Sequence, residues 1–96
     1  MNEPRLYILI DKTLDPIYGC VQGGHAVAQW LLEHPDQKWN NHYLIYLKCN
    51  IYSMLMTLDM NHIDYSCFRE PDLGNKVTAI AIYSKKSNLT NKLKLI

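Results

Sequence analysis

The run Leu6-Tyr7-Ile8-Leu9-Ile10 constrains this chain more than any other feature. Five apolar residues in succession, rich in β-branched and aromatic types, leave no polar face. That pattern predicts a central strand buried on both sides rather than an edge strand with one wet face. In a chain of 96 residues only one modest core can form around such a strand.

Beyond this run, helical and extended patterns alternate. Asp11 to Pro16 reads as a turn, with Asp15-Pro16 placed to start a helix, since proline suits the first helical turn. The helix is expected from Ile17 to Glu33, ending before His34-Pro35-Asp36. On it, Val21, Gly24, Ala28 and Leu31 share a face joined by Val27, and their small residues predict close packing on the sheet. Gln22, His25 and Gln29 form an adjacent polar stripe. A polar loop carrying Trp39 leads to a second strand, Tyr43 to Leu47. Asn50 then caps a helix whose Ile51, Met54, Leu55 and Leu58 recur at helical period. Two strand-like runs come next, His62 to Phe68 and Val77 to Tyr83. The tail from Lys85 to Ile96 is expected as a short helix or edge segment.

The predicted order is β-α-β-α-β-β with a possible short C-terminal element. This is an α/β sandwich: a mixed four-stranded sheet flanked by helices in a three-layer arrangement, forming a single domain from 1 to 96. The composition, 48% hydrophobic and 20% charged, excludes a disordered chain. No apolar run approaches the roughly 20 residues of a membrane span, so no membrane role is expected. Cys20, Cys49 and Cys67 are odd in number and lack metal-type spacing, which predicts reduced thiols and a cytoplasmic protein. Without secretion, the Asn88-Leu89-Thr90 sequon has no consequence. A net charge of +1 exerts no global pull on nucleic acid, so such binding would require a local patch.

Two segments are candidates for chemistry. Gln22-Gly23-Gly24-His25-Ala26 places two glycines inside a helix, each costing about 1 kcal/mol relative to alanine, so something must approach the backbone closely. A neighbouring strand or helix is the plainer explanation. Alternatively, Gln22 and His25 edge a cleft and offer hydrogen bonds and an imidazole. The second segment is Phe68-Arg69-Glu70-Pro71-Asp72-Leu73-Gly74-Asn75-Lys76. It exceeds the about two to five residues a hairpin turn needs and is densely charged, which predicts a ligand-handling loop. Glu70 and Asp72 are candidate bases for water, Arg69 and Lys76 candidate phosphate ligands, and Thr78 a hydroxyl donor at the same mouth. Surface ion pairs in a solvated loop are the competing explanation, and for Thr78 an ordinary strand residue favoured by β-propensity. Lys85, Lys86, Lys92 and Lys94 form a basic tail, most simply a solvated terminus but able to touch nucleic-acid phosphates. His34, His42 and His62 have no metal-site spacing, and no P-loop, dinucleotide fingerprint or nucleophile elbow occurs.

Three places in the chain resemble the type II (archaeal and eukaryotic) peptidyl-tRNA hydrolase family. They are the strand Leu6 to Ile10 with its charged turn, the helix segment Val21-Gln22-Gly23-Gly24-His25-Ala26, and the strand Lys76-Val77-Thr78-Ala79-Ile80-Ala81-Ile82. The helix segment looks like the family's Ala-Gln-Cys-Ser-His-Ala signature. The Phe-Arg-Glu-Pro-Asp-Leu-Gly loop is similar to that of small bacterial and phage proteins described as type II peptidyl-tRNA hydrolase-like. The resemblance implies hydrolysis of the ester joining a peptide to the terminal ribose of tRNA, with no metal or cofactor, by proteins that are often homodimers. It implies catalytic roles for Gln22, His25, Glu70, Asp72 and Thr78, with Glu70, Asp72 or His25 as base and Gln22 and Thr78 polarising the carbonyl. Phosphate would be held by Lys12, Arg69 or Lys76. The sequence departs from the family in two ways: Tyr18 stands where a functional lysine is expected, and a Pro-Gly-Ser element is missing. These departures favour the alternative of a non-catalytic module binding RNA, a nucleotide or a protein partner. A self-associating structural protein is a third class.

Overall fold

The structure, a computed structural model, describes residues 3–85 and 88–96, without the side chain of residue 88. Lys86 of the basic tail therefore lies outside the described residues. Strand β1 (Arg5–Asp11) is followed by helix α1 (Pro16–Glu33), strand β2 (Leu44–Cys49), helix α2 (Ile51–Met60) and strand β3 (Ser66–Glu70). A 3₁₀ turn (Pro71–Leu73), strand β4 (Lys76–Ser84), a helical turn α3 (Asn88–Asn91) and strand β5 (Lys94–Leu95) complete the chain. The fold is α/β with a mixed sheet, in the order β3-β4-β1-β2-β5. The expected four strands become five, because Lys94 and Leu95 pair with Lys48 and Leu47 and extend the sheet beyond β2. The chain order accordingly gains a final α-β unit.

β1 is central, parallel to β2 and antiparallel to β4. Its side chains divide between two cores, as an all-apolar strand requires. Leu6, Ile8 and Ile10 join Ala26 and Trp30 of α1, whereas Tyr7 and Leu9 join Ile51 and Leu58 of α2. Asp15 starts α1 by accepting the backbone N–H groups of Ile17 and Tyr18, with Pro16 in the first turn. Asn50 caps α2 by accepting from Ser53 N–H at 3.2 Å. No helix among the described residues is long and apolar enough to cross a membrane.

α1 presents a different face to the sheet from the expected one. Val21, Gly24, Ala28 and Leu31 are exposed, and the buried residues are Gly19, Gln22, Gly23, Ala26 and Trp30. The close approach is made at Gly23, where a Cβ would stand 2.6 Å from Tyr46 Cε2 and 2.8 Å from Ile10 Cδ1. At Gly24 an added Cβ would meet nothing within 4 Å. The branched side chains of β1 fill the space a Cβ would occupy, so the helix turns Gly19 and Gly23 inward and Gln22 with them.

The charged connection is also shorter than expected. Arg69 and Glu70 remain in β3, Glu70 pairs with Lys76, and only residues 71–75 are left to turn. Gly74 and Asn75 take the left-handed conformation at φ 66° and 62°, closing an ordinary hairpin. The run from His62 to Phe68 is a strand only from Ser66 onward, since His62 sits at φ 55° in the turn after α2. Because β4 runs antiparallel to β1, the carboxyl ends of β1, β2 and β3 and the first residues of β4 and β5 share one edge of the sheet.

Candidate functional site

A bulge aims the first of the candidate side chains. The β3–β4 pairing passes from Phe68↔Ala79 to Arg69↔Val77, which leaves Thr78 as an extra residue on β4. Thr78 and Ala79 then both turn toward α1, an arrangement strict alternation would forbid. Thr78, fully buried, donates its hydroxyl to Gln22 Oε1 at 2.7 Å. Gln22, 1% exposed, donates from Nε2 to Glu70 Oε1 at 3.0 Å. A carboxylate only accepts, so the amide nitrogen must face Glu70 and the amide oxygen Thr78. Both ends of the glutamine are thereby fixed.

Glu70 closes the chain at the rim. Its Oε2 accepts the Asp72 backbone N–H at 3.2 Å, and Tyr18 donates to Oε1 at 3.4 Å. These donors hold the carboxyl below its usual range, the Asp72 N–H contributing most and the Gln22 amide next. The Tyr18 hydroxyl is pushed the other way, first by desolvation and then by the Glu70 charge. Tyr18, at the position where a lysine was expected, thus acts here as a neutral donor. His25 is exposed on the next stretch of α1, with its ring stacked on Phe68 at 4.3 Å and an interplanar angle of 10°. A proton on His25 would add to the forces that keep Glu70 ionised.

The remaining candidates are placed elsewhere. Asp72 contributes its backbone N–H and leaves its carboxylate exposed on the hairpin. Arg69 Nη1 donates to the Asn75 carbonyl at 3.4 Å, bracing the turn. Lys76 Nζ lies 3.6 Å from Asp11 Oδ2, and Asp11, itself buried, accepts the Thr13 N–H and hydroxyl at 3.0 and 2.9 Å. Lys12 shares a smaller cavity of about 190 Å³ with that pair, and it also lines a cavity of about 490 Å³ with Lys48, Lys92 and Lys94. Three residues that sequence reasoning missed are the Phe68 platform, the Asp11 partner of Lys76, and Lys48. Asp11 carried a usable signal, being an acid at the carboxyl end of an apolar strand, where open α/β sheets bind ligands. Nothing in the sequence pairs His25 with Phe68. Among the described residues, no three His, Cys, Asp or Glu side chains come together as metal ligands.

No family model matches this chain, and no curated protein does. It is similar in structure to a protein of unknown function from Agrobacterium tumefaciens strain C58, with a TM-score of 0.69 over 100% of this chain and 99% of the other. At 10% sequence identity the likeness concerns the fold alone.

Proposed function

We propose that this chain is a peptidyl-tRNA hydrolase-like esterase, acting in the cytoplasm on the ester between an acyl or peptidyl group and the terminal ribose of tRNA. The observation that carries the reading is the hydrogen-bonded chain Thr78–Gln22–Glu70. It fixes one ionised carboxylate on the rim where His25 is exposed. A buried glutamine held at both ends preorganises that charge, as second-layer partners do in catalytic sites.

Within this reading the roles separate. Glu70 is a weak base, because its acidity is raised and its oxygens already accept from three groups. His25 is the proton acceptor. Water attacks the ester carbonyl carbon and passes a proton to the imidazole. The carbon–oxygen bond to the ribose then breaks, and the imidazolium returns the proton to the leaving ribose oxygen. Glu70 stabilises the imidazolium, while Gln22 and Thr78 act as positioning residues and do not touch the substrate. In an assay of peptidyl-tRNA cleavage, His25→Ala lowers kcat about 10²–10⁴-fold, and Glu70→Gln lowers it less. If neither variant, nor Asp72→Asn, slows an established wild-type activity, the site is misplaced.

One observation favours the non-catalytic module instead: Gln22 is buried and bonds within the protein through both Oε1 and Nε2, so its amide is not presented to a substrate oxyanion. Absence of turnover in the wild type, together with salt-sensitive tRNA binding, would select that module.

A further inference from the structure

At the other end of the same sheet edge, Lys12, Lys48, Lys92 and Lys94 converge on the cavity of about 490 Å³, whose lining contains no acidic side chain. The protein carries ten lysines and arginines against nine acids, so four cations around one cavity is a concentration the net charge of +1 conceals. Among the described residues none of the four forms an ion pair, whereas Lys76 on the same edge finds Asp11.

The backbone holds this charge in place. In the β2–β5 pairing Lys48 stands directly opposite Lys94, and like charges directly opposite in a sheet repel. Beside it the Ile96 N–H donates to the Tyr46 carbonyl at 3.3 Å and holds that register. Sliding the two-residue strand by one position to relieve the repulsion would break that bond. Cys49, also in the lining, adds no compensating thiolate, because burial pushes its thiol up to about 12. Asn50 on the wall opens α2, a helix of 10 residues with no acid in its first turn, so the positive end of its dipole adds to the field.

We propose that this cavity is a phosphate-binding site, taking a ligand with at least two neighbouring phosphate groups. The roomy, open lining and four separate ammonium groups suit multiply charged phosphate better than a single carboxylate. Such phosphates come either from a free polyphosphate, as in a nucleotide, or from consecutive phosphodiesters of an RNA backbone. The site does not depend on the ester-hydrolysis reading, since no residue is shared with the Thr78–Gln22–Glu70 chain.

The test is titration of the full chain with inorganic triphosphate and, separately, with a short single-stranded RNA, both at low salt, followed by backbone amide resonances and calorimetry. Triphosphate is expected to shift Lys12, Lys48, Asn50 and Lys94. The Lys48→Gln/Lys94→Gln double variant is expected to bind about tenfold more weakly, and the double arginine variant to retain affinity. Lys92→Gln, outside the strands, provides the same reading if the double variant is poorly folded. Binding of triphosphate with no added affinity for RNA assigns the free anion. Preferential RNA binding whose salt slope falls by about one per lysine removed assigns the backbone. If neither probe shifts these resonances, or if the glutamine variants bind as tightly as the wild type, the proposal is wrong.

Discussion

The two ends of one sheet edge handle charge in opposite ways. At the β3–β4 end a single carboxylate is surrounded by donors from two elements: Gln22 and Tyr18 from α1 and the Asp72 N–H from the hairpin. At the β2–β5 end four lysines line a cavity whose own lining holds no acid, Asp11 next to Lys12 being engaged with Lys76. The first end is complete within the protein and therefore rigid. The second is left with repulsion that only an added anion relieves. Removing a polar group should consequently destabilise the first end, while removing a charge should stabilise the second.

The largest effect is expected at Thr78. Thr78→Val keeps the shape but strands Gln22 Oε1 in a buried position, and should lower stability by about 1–3 kcal/mol in denaturant unfolding. Adding Gln22→Leu should return part of that loss, because an apolar pair leaves no unsatisfied group. Simple additivity of the two losses would show that the chain is not a coupled unit. A smaller, pH-dependent effect belongs to Glu70. Its folded value lies below the ordinary 4.5, so it stabilises the fold above that pH, and the contribution disappears as pH falls through the folded value. The stability difference between the wild type and Glu70→Gln should hold constant above about pH 5 and shrink below it. A difference that stays flat down to acid unfolding would contradict the hydrogen-bond geometry. The smallest effect, and opposite in sign, is expected at the cationic end. Lys48→Gln should raise stability by about 0.2–1 kcal/mol at low salt, and the gain should fade as salt screens the Lys94 charge. If Lys48→Gln destabilises the protein, the repulsion is not real.

Much of the frame was legible in the residues. The unbroken Leu6–Ile10 run identified the central strand, Asp15-Pro16 and Asn50 marked both helix starts, and Ile51, Met54, Leu55 and Leu58 named the packed face of α2. For α1 the small-residue stripe at Val21, Gly24 and Ala28 suggested the wrong face. Periodicity records that a face is apolar but not whether the sheet takes it, and Gly23 decides the matter by admitting Tyr46 and Ile10. The charged hairpin seemed long because charge does not show where pairing stops. Glu70 and Lys76 are still within the ladder.

The amino-acid sequence by itself determined the alternation of elements, because hydrophobic period, caps and turn residues act over a few positions. It also singled out Gln22, His25, Glu70 and Thr78 as polar residues beside apolar segments. Only the tertiary structure decided that Gln22 bridges Thr78 to Glu70 across separations of 56 and 48 residues, and that Lys48 faces Lys94. Both depend on register. One bulge at Thr78 and one two-residue strand at Lys94 set the pairing, and no local propensity encodes a register between distant segments.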